Sequence, residues 1–163
     1  MKHVEEANRS SQNQPRTKHK ILVVDDVVTI ARKLQAALPE DRFQVVGARR
    51  LREALQLLKG DSFAMVVVDA YLPDDGNLEG GVRLVRNVRE ELNLPEIPMV
   101  MYSNFALHIR EGRTTRKDYK RVREEMKKYK VPKFIDKNWD EKGELGLNSI
   151  EELAEYITSK LER

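Results

Sequence analysis

Five side chains able to do chemistry stand directly after short apolar runs. The carboxylates of Asp25 and Asp26 follow Ile21–Val24, the carboxylate of Asp69 follows Met65–Val68, the hydroxyl of Ser103 follows Pro98–Tyr102, and the ammonium of Lys137 closes the run that begins at Lys133. The chain has no cysteine, which removes thiolate metal sites, iron–sulfur clusters and a cysteine nucleophile. Its chemistry must come from oxygen and nitrogen groups. If the apolar runs are parallel strands, the five groups meet at one rim, because ligands bind open parallel sheets at the carboxyl ends of the strands. Three carboxylates in one cleft repel each other unless a cation or a proton intervenes, and an all-oxygen set with few protein ligands selects a hard ion such as Mg²⁺. That set suits phosphoryl transfer to a carboxylate, with Asp69 as nucleophile, Lys137 and the metal neutralising charge, and Ser103 donating a hydrogen bond. Each residue also has a plainer reading. Asp25 and Asp26 suit a helix cap, Ser103 a loop hydroxyl and Lys137 a solvated surface charge.

The elements that must position these groups alternate along the chain. Five strands are predicted at Ile21–Val24, Phe43–Val46, Phe63–Val68, Pro98–Tyr102 and Lys133–Ile135, several of them continuously apolar, as in a sheet covered on both faces. Between them lie helical periodicities at Val27–Leu38, Leu51–Lys59 (ending at Gly60) and Gly80–Leu92. A final helix, Ser149–Leu161, is capped by Asn148 or Ser149 in this reading, carries Glu151 and Glu152 in its first turn, and buries Ile150, Leu153, Ile157 and Leu161. The fold class is therefore α/β, a doubly wound five-stranded parallel sheet. Residues 1–19 are polar and basic with little to bury, and read as a flexible tail.

Four segments, ILVVDD at Ile21–Asp26, VVVDAYLPDDG at Val66–Gly76, PMVMYS at Pro98–Ser103 and KFIDK at Lys133–Lys137, occur in this order at the strand ends. Together they resemble the receiver domain of two-component response regulators, over residues 20–163. The resemblance implies the flavodoxin-like strand order 2-1-3-4-5. It implies Asp69 as phosphoacceptor, and Asp25, Asp26, Asp69 and the backbone carbonyl of Tyr71 as ligands of Mg²⁺. Lys137 then steadies the phosphoryl group, Ser103 is the hydroxyl that turns inward on phosphorylation, and Phe134 is the aromatic that changes rotamer with it. Pro73 and Gly76 match the turn after the acceptor strand. A histidine kinase or phosphotransfer protein becomes the phosphodonor and an unknown downstream protein the reader. Such a domain promotes its own phosphorylation and dephosphorylation but is a signalling phosphoacceptor rather than an enzyme.

The sequence departs from that family in three places. Asn104 follows the switch hydroxyl where a small residue is usual, which narrows access to the acceptor. Asn138 follows Lys137 where proline is usual, and a non-proline peptide disfavours the cis bond. The stretch between Ser103 and Lys137 is longer than usual by about three helical turns, an insertion at about 105–131. Within it Thr115 can cap a helix that aligns Tyr119, Val122, Met126 and Tyr129 on one face.

The chain's net charge of +3, from 30 basic and 27 acidic residues among 163, conceals a segregation. Residues 109–133 hold eleven cations against four anions, a net of +7, and the first twenty residues a net of +3, which leaves the remainder at −7. A charge run is commonly a solvated helix face. As a partner surface its residues are Arg116, Lys120, Arg123 and Lys127. The alternative function is a phosphorylation-independent binding module using this segment on an acidic protein or nucleic acid; with no helix-turn-helix or stacking platform, nucleic acid is disfavoured. No membrane span or secretory leader is legible, so a cytoplasmic location is expected. The chain stops soon after the last helix, consistent with a stand-alone receiver. A homodimer through the last two helices is an option that no single residue supports.

Overall fold

The computed structural model describes residues 16–72, 79–139, 145–146 and 148–162. The chain alternates strand and helix: β1 (His19–Val24), α1 (Thr29–Ala37), β2 (Phe43–Ala48), α2 (Leu51–Gly60), β3 (Met65–Val68), α3 (Glu79–Arg86), a π-helical turn (Asn87–Glu91), β4 (Met99–Ser103), α4 (Phe105–Arg110), α5 (Arg116–Lys128), β5 (Phe134–Asp136) and α6 (Ser149–Leu161). All strand pairs are parallel and the sheet order is β2-β1-β3-β4-β5. This is the flavodoxin-like order, and the direction in which successive strands are added reverses between β1 and β3.

Side chains of successive strand residues point to opposite faces, and both faces are apolar. On one, Leu22, Val24, Val66, Val68, Met99 and Met101 pack against α2, α3 and α5 through Leu58, Leu84, Val85, Val122 and Met126. On the other, Ile21, Val23, Met65, Val67, Val100 and Ile135 pack against α1 and α6 through Ile30, Leu34, Leu153 and Ile157. Fully burying a side chain of this size contributes about 1.5 to 3 kcal/mol, so the strands' continuous apolar character follows from coverage on both sides.

Several expectations need adjustment. β1 starts at His19, paired with Phe43, so this residue of the supposed tail is sheet; residues 1–15 lie outside the described residues. The helix predicted at Gly80–Leu92 becomes a π turn from Asn87. Neither expected cap of α6 works as one: Asn148 makes no side-chain cap bond, and the Ser149 hydroxyl donates to the Gly146 carbonyl at 3.3 Å while accepting from the Tyr102 hydroxyl at 2.8 Å. Ile150 and Leu161 are only partly buried, at the margins of the α6 contact face.

The insertion resolves into two helices rather than one. Asn104 starts α4, and Asp136 Oδ2 accepts from the Ala106 amide at 3.0 Å. α5 opens as the sequence suggests, with Thr115 Oγ1 accepting from the Asp118 amide at 3.1 Å, and it buries Val122 and Met126 while Tyr119 and Tyr129 flank the core. Its far end is tied down by Arg89, whose guanidinium donates to the carbonyls of Tyr129, Leu94 and Ile97 at 2.8, 2.8 and 2.7 Å.

Candidate functional site

The rim at the carboxyl ends of β1, β3, β4 and β5 holds the groups expected there. Asp25 and Asp69 are each 5 % exposed and Lys137 only 2 %. Lys137 Nζ lies 2.6 Å from Asp25 Oδ2 and 3.2 Å from Asp69 Oδ2, bridging two buried carboxylates from different strands. Ser103 Oγ, fully buried, donates to Asp69 Oδ1 at 2.5 Å. The Tyr71 amide donates to the same oxygen at 3.0 Å, and the Val27 amide donates to Asp25 Oδ1 at 2.9 Å. The Asp25 bond closes a local turn ahead of α1 and is not the helix cap of the plainer reading, since α1 starts at Thr29 with no side-chain cap; Asp25 also faces Lys137. Because Ser103 already points inward, an outward-to-inward turn is not what distinguishes this conformation.

Local packing sets these positions. Gly81 approaches the chain just after Asp69 so closely that a Cβ there would lie 2.6 Å from Ala70 Cα and 2.7 Å from the Asp69 carbonyl oxygen; only glycine permits that approach. Asn138 adopts φ 52°, a left-handed conformation that Asn tolerates better than most residues. Its amide donates to Asp136 Oδ1 at 2.7 Å, and the Gly146 amide donates to the Lys137 carbonyl at 3.2 Å. The loop thus brings Lys137 to both carboxylates by a trans route. Pro73 and Gly76 lie outside the described residues.

The electrostatics are those of a site short of positive charge. Burial, and next the neighbouring charge of Asp69, push the Asp25 carboxyl up to about 7 against the opposing pull of Lys137. Burial works against the Lys137 ammonium, but the charges of Asp69 and Asp25 outweigh it and hold its pKa above the ordinary lysine value. One buried cation thus faces two buried carboxylates, with exposed Asp26 beside them; an oxygen from each of Asp25, Asp26 and Asp69 lies within 4.8 Å of the others. This donor set fits a hard divalent cation such as Mg²⁺.

A cavity of about 270 Å³ opens over Asp69 and Lys137, and its remaining walls include residues that strand-end reasoning does not identify: Asn104, His108, Arg113 and Trp139. His108 stacks on Tyr71 with ring centroids 3.5 Å apart. Burial first, then the charge of Arg113, lowers the His108 pKa. Trp139 lies over Lys137, whose Nζ is 5.2 Å from the ring centroid. Only Asn104 carried a signal in the sequence, as a bulky residue in a place where a small one is usual.

Phe134 sits away from the carboxylates, half-buried between Phe105 at 5.4 Å and Tyr119 at 6.0 Å. The Arg123 guanidinium lies 5.5 Å from the Phe134 ring centroid. Arg116, Lys120, Arg123 and Lys127 form one exposed stripe along α5. They are not part of the carboxylate site, and the ring cluster is what joins them to β5.

Residues 21–143 match the response regulator receiver domain. Among solved structures, a response regulator from Thermotoga maritima superposes with a TM-score of 0.61 at 20% identity, covering 90% of this chain and 100% of that one. The Vibrio cholerae chemotaxis protein CheY4 gives 0.62 at 19% identity, covering 89% and 99%. A CheY-like receiver domain protein from Methanospirillum hungatei gives 0.64 at 18% identity, covering 90% and 95%. These structural likenesses establish the shared fold.

Proposed function

This chain belongs to the response regulator receiver domain family, a family of signalling phosphoacceptors in two-component systems, and from that premise we propose that Asp69 is its phosphoacceptor. The observation that carries the assignment is the bridge of Lys137 between Asp25 and Asp69 with Ser103 on the other Asp69 oxygen. It orients one carboxylate at the mouth of a cavity and places a cation and a hydroxyl beside it.

In the proposed reaction an Asp69 oxygen attacks the phosphorus of a phosphohistidine on a histidine kinase or phosphotransfer protein. A P–O bond forms, the P–N bond breaks, and the imidazole leaves with the electron pair. Lys137 then faces a more negative group and follows it by its ammonium. Ser103, whose only hydrogen is now on Asp69 Oδ1, transfers that bond to a phosphoryl oxygen. Asp25, Asp26, Asp69 and the Tyr71 carbonyl are the residues to hold Mg²⁺, which when bound neutralises charge on the transferred oxygens. Hydrolysis reverses the state: water attacks phosphorus, inorganic phosphate leaves and the carboxylate returns.

The output runs through protein contact. Phe134 touches Phe105 and lies against Arg123 of the α5 stripe, so a rotamer change at Phe134 moves the basic surface. Arg116, Lys120 and Lys127 have no ion-pair partner among the described residues, which leaves their charge available to an acidic partner. Among the described residues no helix is long and apolar enough to cross a membrane. The reading places the protein in the cytoplasm with its kinase.

Incubation with acetyl phosphate and Mg²⁺ tests the assignment. The parent protein gains the mass of one phosphoryl group as acetate leaves; Asp69→Asn and the chelated parent do not. Absence of any gain in the parent contradicts it.

A further inference from the structure

Two side chains on the wall of the acceptor cavity have polar groups that the fold does not use. Asn104, 3 % exposed, stands at the start of α4, where an Asn side chain ordinarily accepts from the first helical amides. Here it accepts from none of them, and Asp136 takes the Ala106 amide instead. Both Oδ1 and Nδ2 of Asn104 are sealed from water and without a partner among the described residues. Trp139 covers the Lys137 ammonium, and its buried indole Nε1–H is likewise unpartnered among the described residues. Buried donors are nearly always satisfied, and leaving one unpaired is costly. Packing explains neither choice, since alanine at 104 or phenylalanine at 139 would spare that cost.

Both residues line the cavity that contains Asp69 and Lys137. A phosphoryl group on Asp69 brings three equatorial oxygens into that space, each able to accept more than one hydrogen bond. Mg²⁺, Lys137 and Ser103 leave part of that accepting capacity unmatched.

We propose that the Asn104 amide and the Trp139 indole are phosphoryl-binding donors, two neutral N–H groups that pair with the oxygens of phosphorylated Asp69. This rests on the reading of Asp69 as phosphoacceptor and adds to it two residues outside the carboxylate, hydroxyl and lysine set. The orphaned state of these two N–H donors belongs to the unphosphorylated protein, and the arrival of the anion supplies them with acceptors; the Asn104 Oδ1 acceptor is not paired by it. The residue after the switch hydroxyl is then a ligand of the phosphoryl group rather than an obstruction to it, and both donors favour the phosphorylated conformation without adding charge.

Beryllofluoride with Mg²⁺, a stand-in for the phosphoryl group, provides the test on the full chain. Trp139 is the one tryptophan, so the protein has a single indole N–H proton resonance. Saturation with beryllofluoride moves that resonance downfield as the hydrogen bond forms. Asn104→Ala and Trp139→Phe each weaken beryllofluoride binding, read by ¹⁹F resonance of the bound species, by about tenfold. The unliganded Asn104→Ala protein melts at or above the parent temperature, because an unsatisfied amide has been removed; a purely structural asparagine would give a lower one. An indole resonance unmoved at saturation, with parental affinity in both variants, overturns the proposal while leaving Asp69 as acceptor. Failure of the parent to bind beryllofluoride at all overturns both.

Discussion

Asp25 is the residue whose environment departs furthest from that of a solvated carboxylate. Its pKa is raised from 3.8 to about 7 by burial and by Asp69, so its ionisation is less favourable in the folded than in the unfolded chain. The associated stability is fully present below pH 3.8 and is lost as the pH rises through about 7, a loss of roughly 4 kcal/mol at most. With divalent ions chelated, Asp25→Asn is expected to gain stability relative to the parent as the pH is raised from 4 to 8, measured by urea unfolding at each pH. Equal stability differences across that range contradict the assigned environment. At this scale the sequence was informative where a strand end fixes the position. Asp25, Asp69 and Lys137 occupy the first positions past their strands and Ser103 the last position of β4, and parallel pairing leaves them no other place. Trp139, His108 and Arg113 were not legible as cavity walls, because what a loop folds over depends on tertiary contacts that periodicity does not encode. The inward position of Ser103 was equally illegible: a rotamer is set by its hydrogen-bond partner on another strand.

The elements show the same division. Five strands and the long helices announced themselves through apolar spacing, but α4 did not, since the six residues FALHIR span under two turns. The π turn at Asn87–Glu91 was also hidden, its apolar Val88 fitting an α-helix as well. It lies beside the fastening point of the insertion, because Arg89 within it serves three carbonyls from Tyr129, Leu94 and Ile97. Burial lowers the Arg89 pKa, yet a guanidinium stays charged at any working pH. Arg89→Ala is expected to cost about 2 to 4 kcal/mol, since it strands carbonyls that water reaches poorly. Thermal melting reads this directly. A variant as stable as the parent would mean that α5 is held by Val122 and Met126 alone.

Across the whole molecule, an acidic receiver body at −7 carries a basic segment at +7 within residues 109–133. α5 buries one face and leaves the cationic stripe outside, so charge at this scale concerns association more than folding. Replacing Lys120 and Lys127 together by Glu is expected to leave the melting temperature nearly unchanged, as exposed substitutions usually do. The same change abolishes binding of a polyglutamate chain seen with the parent at low salt by fluorescence anisotropy. Retained binding in the variant would move the partner surface elsewhere.

The central claim, that Asp69 carries the phosphoryl group, is tested most directly by locating the modification. The protein is labelled with acetyl phosphate and Mg²⁺, reduced with borohydride, which converts an acyl phosphate on aspartate to homoserine, and mapped by peptide mass spectrometry. The account predicts homoserine at position 69. Homoserine at Asp25 or Asp26 instead, or at no position, would contradict it.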